Sequence, residues 1–251
     1  LVVNGLTFDL DGNDAGVLVE AGDNDQFDDL TVTNNEFLNI DGTTSAAIEL
    51  DGVEDIDGLT VNDNSFNSDN NYQAISLSGD NLIANSDVNI RDNTIEDADA
   101  AAIDLGVIND GTLDVTVSGN QVLNQSNGGV SLAVQVDNAD DTVLIQNNEI
   151  TGDGDAVGIA LSGADVSGVS IQGNDISGLG DGGGVDAIAI DLNDANDDLT
   201  ATVENNQLEG NEVHFEEAGT GDDYDEQTLI DDNVVTRVVR VLDEEGGDIQ
   251  N

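Results

Sequence analysis

The chain has 251 residues, 55 of them acidic against three arginines and no lysine, giving a formal charge of −52 at pH 7. This balance excludes nucleic acid as a partner, because phosphate binding works through Lys and Arg that displace counterions, and it argues equally against anionic membrane surfaces. Without cysteine there is no disulfide framework and no thiol chemistry, and with no run near 18 apolar residues no membrane insertion is expected.

A chain this acidic with 3% aromatics has the composition of a disordered protein. Yet 37% of its residues are hydrophobic, and they recur with a period. The first elements are LTFDL at 6–10 and VLV at 17–19, a partial unit. A full unit follows, VTNNEF at 32–37 and then AIEL at 47–50. The pair returns as VNDNSF (61–66) with AISL (74–77), IRDNTI (90–95) with AIDL (102–105), and VSGNQV (117–122) with the looser SLAV (131–134). It continues as IQNNEI (145–150) with GIAL (158–161), and IQGNDI (171–176) with AIAI (187–190) after the insert GLGDGGGVD (178–186). The last units are VENNQL (203–208) with VHF (213–215), and IDDNVV (230–235) with VVRV (238–241), separated by the acidic segment 216–227.

The asparagine common to these units is Asn35, Asn64, Asn93, Asn120, Asn148, Asn174, Asn206 and Asn233, so the spacings run 29, 29, 27, 28, 26, 32 and 27. Self-similarity at such a period marks a solenoid or array. Three residues before each asparagine stands Val or Ile, and two after it Phe, Ile, Val or Leu. This alternation predicts strands with one buried face. The residue just before it is Asn, Asp or Gly in every unit, the residue types that enter the left-handed region most readily. Each strand is therefore expected to bend there and turn the asparagine inward. Stacked amides then form a structural ladder that satisfies buried polar groups at the bend.

On these residues the chain resembles the right-handed parallel β-helix family, the pectate-lyase-like solenoids with an internal asparagine ladder. The resemblance covers about residues 1–242 and implies an all-β right-handed parallel β-helix (β-solenoid) of about 8–9 coils of ~28 residues. The reading is one β-helix domain over 1–242, then a short acidic polar tail at 243–251. The chain begins at Leu1 rather than Met, which reads as a processed form or an excerpt. Carboxylates without lysine or cysteine also resemble the proteins of extreme halophiles, in which salt screens self-repulsion.

The fold hosts many activities, so function has to come from sites. Outward positions of the first strand are nearly uncharged: Thr31, Thr60, Asn89, Thr116, Leu144, Ser170 and Thr202. The matching column of the other strand is read as Glu49, Ser76, Asp104, Ser131, Ala160, Ala189, His214 and Arg240. Elimination chemistry on uronic polymers, which the resemblance implies for one branch, needs a basic proton abstractor. Arg91, Arg237 and Arg240 are the arginines available; Arg91 reads as a surface ion pair with Asp92, and His214, Arg240 and Glu216 as a local charge cluster. The hydrolase branch implies a Gly-His-Gly and an Arg-x-Lys element, and the sequence has neither. No catalytic residue is assigned.

Clustered oxygens suit hard cations. DLDGND, DNDQFDD, GDGD and GDDYDE make Asp9, Asp11, Asp14, Asp23, Asp25, Asp28, Asp153, Asp155, Asp222 and Asp223 the candidate ligands, with Ca²⁺ the candidate cofactor. The leading expectation is a non-catalytic extracellular or cell-surface structural or adhesive solenoid that self-associates end to end. The alternatives are a carbohydrate-active enzyme or glycan-binding module with a polysaccharide partner, and a calcium-dependent surface adhesin.

Overall fold

The computed structural model describes residues 1–10, 15–20, 26–27, 29–40, 46–51, 55–56, 58–67, 72–78, 86–98, 101–108, 113–125, 130–136, 142–152, 156–163, 167–179, 186–192, 200–209, 212–217, 234–236 and 240–242. Among the described residues all regular structure is β-strand, and the chain winds as a parallel β-solenoid. Among the described residues each of the first eight coils contributes one strand to each of three long parallel sheets. The first sheet has eight strands, from Val2–Asn4 to Thr200–Glu204. The second has nine, from Thr7–Asp9 to Val234–Thr236, and the third has nine, from Val17–Glu20 to Arg240–Leu242. Two short strands, Gln26–Phe27 and Asp55–Ile56, form a small fourth sheet.

The segments expected as single bent strands are two strands in two different sheets. In the first complete unit, Leu30–Thr33 belongs to the first sheet and Glu36–Leu38 to the second. The bend between them is so sharp that the hydrogen-bonding partners change. Its cause is a left-handed residue at each turn: Asn34 (φ 53°), Asp63 (55°), Asp92 (54°), Asn147 (55°) and Asn205 (57°), with Gly119 and Gly173 at 66° and 65°. A side chain that hydrogen-bonds locally, or none at all, is what makes this conformation affordable.

Alternation then builds the core. Val32, Val61, Ile90, Val117, Ile145 and Ile171 stack in one buried column, and Phe37, Phe66, Ile95, Val122, Ile150 and Ile176 in another. Parallel register repeats like on like, so Phe8, Phe37 and Phe66 stack ring on ring at 4.9 and 4.8 Å, within 9° of parallel. That spacing equals the separation of neighbouring strands, so the rings meet without adjustment of the backbone.

Two register positions differ from the sequence reading. Ser131 is fully buried, and Ala133 takes the outward place beside Asp104 and Ala160. At the far end His214 pairs with Leu242, while Arg240 pairs with Glu212. The cause is the start of the last strand, which begins at Arg240 and so shifts VVRV by two places.

Candidate functional site

The asparagines form a continuous one-way column. Asn64 accepts through Oδ1 from both the backbone N–H and the Nδ2 of Asn35, each at 3.0 Å. Asn93 does the same for Asn64, Asn120 for Asn93, Asn148 for Asn120, Asn174 for Asn148 and Asn206 for Asn174, at 2.9–3.1 Å. The second Nδ2 hydrogen reaches back one coil to a carbonyl, as from Asn64 to Val32 at 2.9 Å and from Asn120 to Ile90 at 3.0 Å. Seven members, Asn35 to Asn206, are at most 3% exposed, and Asn233 lies outside the described residues. An amide whose hydrogens and carbonyl oxygen are committed inside the core has nothing left for a ligand. The column is a structural device.

The first coil ends it. Val3 to Phe8, VNGLTF, repeats the VTNNEF pattern with Gly5 at the left-handed bend (φ 69°) and Leu6 in the asparagine's place. Leu6 donates its N–H to Asn35 Oδ1 at 3.0 Å, and Asn35 Nδ2 reaches Val3 O at 3.0 Å. The sequence reading took LTFDL and VLV as a partial first unit and missed its first strand, Val2–Asn4; the signal was the matching Val3, Gly5 and Phe8 around the missing asparagine. Leu6 is 49% exposed, and with Leu1, Val2 and Leu18 it forms the exposed large hydrophobic set of the described residues, all of it in the first coil.

Of the candidate calcium ligands, Asp9 is described: its Oδ1 accepts from Asn39 Nδ2 at 2.8 Å. Asp11, Asp14, Asp23, Asp25, Asp28, Asp153, Asp155, Asp222 and Asp223 lie outside the described residues. Among the described residues no group of three or more His, Asp or Glu is placed to hold a metal. Arg91 is exposed and its guanidinium donates to Asn89 Oδ1 at 2.6 Å, within its own strand. Among the described residues this contact stands where an ion pair with Asp92 was expected.

Sequence alone could not single out Asp104 from 55 acids. It stands on the outer face of the third sheet between Ser76, nearly buried, and Ala133. Burial raises its pKa above the usual carboxylate value, opposed by a hydrogen bond from Gln73 Nε2 to its Oδ2 at 3.2 Å. Tyr72 is also pushed up by burial, then by Asp97 and Glu96, and its hydroxyl donates to Glu96 O at 2.6 Å.

The outer faces of the first two sheets differ in their side-chain hydrogen bonds, although the first also carries the exposed, in-register acids Asp87 and Asp114. On the second, acids bridge coils: Thr7 donates to Glu36 at 3.1 Å, Asn67 to Glu96 at 2.7 Å and Gln121 to Glu149 at 3.0 Å. On the first, two outward columns run in register, Thr31–Thr60–Asn89–Thr116–Leu144–Ser170–Thr202 and Thr33–Asn62–Arg91–Ser118–Gln146–Gln172–Glu204. Arg91 and Glu204 are their only charges, and they cancel.

In comparison with known proteins, the family described as "Right handed beta helix region" matches residues 15–235. No curated protein and no solved structure matches the chain.

Proposed function

The chain belongs to the right-handed β-helix family, and on that footing we propose that it is a non-catalytic extracellular structural or adhesive solenoid whose copies associate end to end. The first coil carries this reading. Among the described residues its strands Val2–Asn4, Thr7–Asp9 and Val17–Glu20 stand at one end of three parallel sheets, and Leu1, Val2, Leu6 and Leu18 are exposed beside the half-buried Phe8. Edge strands offer unpaired backbone groups to another chain, and a heterologous contact between two different ends propagates a filament when it does not close. Leu6 in the ladder position makes the contact apolar rather than amide-mediated.

Electron microscopy in molar salt tests this. Filaments repeating at about one solenoid length, and their loss in Leu6→Asp, support it. Single rods at every concentration overturn it. The same grids with calcium and then chelator assign cations to the joints or remove them from the reading.

Asp104 favours a second reading, a carbohydrate-active site on the third sheet, since general acid work calls for a carboxyl whose pKa is raised, the direction in which burial moves this one. Turnover of a polysaccharide that is lost in Asp104→Asn would replace the first reading with this one.

A further inference from the structure

We propose that the joint between two copies continues the register of the solenoid itself, the last coil of one copy lying on the first coil of the next as one coil lies on another within the chain. The inference rests on the end-to-end reading and gives that contact its partner surface and its alignment.

The third sheet carries one register column that starts at Leu18 and finishes at Leu242. The seven places between them hold Glu49, Ser76, Asp104, three alanines and His214, so leucine stands at the two ends of the column and at none of the places between. Leu18 is 50% exposed, and taking its apolar surface out of water is favourable. One further step of the same register sets Leu242 of one copy beside Leu18 of the next, and Val241 beside Val17, with strands about 4.8 Å apart. On the second sheet the column from Phe8 to Val235 is apolar at every place. Phe8 is half-buried, with Phe37 stacked on one side at 4.9 Å. The same step brings Val235 of the preceding copy to its other side, and the core runs on across the joint.

Charge selects the far end as the occupant. The chain has three arginines and one histidine, and Arg237, Arg240 and His214 all fall in its last two units. The connection from the second to the third sheet is 10–16 in the first coil and 237–239 in the last. In sequence the first holds Asp11 and Asp14 and the second Arg237, so the joint sets opposite charges together. A contact of first coil with first coil would set those acids against themselves, and in a chain of −52 most other meetings of two copies do the same.

The asparagine column gives the alignment its own signature. Leu6 keeps the backbone half of the pattern, donating its N–H to Asn35 Oδ1 at 3.0 Å. It lacks the Oδ1 that would accept from the coil before it, which in the filament is the coil of Asn233. An asparagine at position 6 therefore completes the column across an in-register joint, and weakens a contact that is merely apolar.

The chain has no cysteine, so single cysteines report the alignment. Leu18→Cys and Leu242→Cys protein, mixed and oxidised in molar salt, should cross-link 18 to 242, because in-register neighbours lie inside the disulfide range of about 4.4–6.8 Å between Cα atoms. Leu18→Cys mixed with Ala160→Cys, from the middle of the same column, should not. Leu6→Asn should lower the protein concentration at which filaments appear by roughly threefold or more, since two donors gain an acceptor. Circular dichroism confirms that each variant is folded. Filaments that form without an 18–242 cross-link, or that Leu6→Asn weakens, overturn the alignment and leave end-to-end association standing. Cross-linking of Leu18→Cys to itself overturns it too, by making the joint head to head. Single rods without cross-links at every concentration sink both readings.

Discussion

The three corners of a coil obey different rules. Between the first and second sheets the connection is two residues in all eight coils, from Gly5 and Leu6 to Asn205 and Asn206. Between the second and third sheets it varies from two residues (210–211) to eight (178–185), and from the third back to the first it varies from three (164–166) to nine (21–29). The difference follows from what each corner must satisfy. At the invariant corner a left-handed residue turns the chain, and the next amide must meet its counterparts one coil away at hydrogen-bond distance. One extra residue there would move the amide out of the column. The other corners are Asp-, Asn- and Gly-rich in sequence, and lengthening a loop costs little, about 0.6 kcal/mol per doubling. Acid and length variation gather away from the asparagine column.

The largest expected effect separates the two kinds of corner by charge. At millimolar ionic strength the acidic corners should repel strongly enough to abolish cooperative folding, and at about 1 M salt, with a screening length of roughly 3 Å, it should return. Circular dichroism during dialysis reads this; a fold indifferent to salt would show that the acidic corners bear no strain. Next is Asn120→Ala in mid-column. It removes the acceptor of two Asn93 donors and the donor to Ile90 O and Asn148 Oδ1, which should cost roughly 3–5 kcal/mol at about 1–3 kcal/mol per orphaned buried group. Asn35→Ala, next to the exposed first coil, should cost about half as much by the same rule. Denaturant midpoints decide, and equal costs would mean the column does not act cooperatively.

Insertion offers a direct contrast of intermediate size. One glycine between Asp92 and Asn93 should destabilise by several-fold more than two glycines between Asn138 and Ala139, and comparable melting temperatures for both would break the comparison. Gly178→Ala tests a fixed point within a variable corner. Gly178 has φ 72°, and an added Cβ would sit 2.5 Å from the Gly152 carbonyl oxygen, a backbone atom that cannot swing aside. A loss of about 1–3 kcal/mol is expected from strain of this kind.

The smallest effect concerns Asp104. Its folded pKa lies above the unfolded value of 3.8 because burial disfavours the carboxylate. Its stabilising contribution is therefore complete below 3.8 and is lost as pH rises through the folded value. Stability of Asp104→Asn relative to the parent should rise across that window and then level off at neutral pH. A difference that does not change with pH would mean the carboxyl is effectively solvated.

Much of the fold was legible because this repeat carries its own geometry. Val32, Asn34, Asn35 and Phe37 encode inward, turn, inward, inward in a six-residue segment, and repetition of those types at a fixed period leaves parallel stacking as the arrangement that buries them. The candidate site was much less legible. Fifty-five acids give no sequence signal for Asp104; burial raises its pKa against a hydrogen bond from Gln73 that lowers it, and register alone sets it between Ser76 and Ala133 on neighbouring coils.

The sequence by itself determined the period, the bend residues, the buried columns and the sign of the charge, because these depend on side-chain chemistry within about six consecutive residues. Tertiary structure decided the division of each bent segment between two sheets and the pairing of His214 with Leu242. It also decided that the Leu6 N–H takes the place of an asparagine against Asn35 Oδ1. Those features depend on which residue of one coil lies over which residue of the next. Axial register fixes that across some 28 residues of chain, and no local pattern reports it.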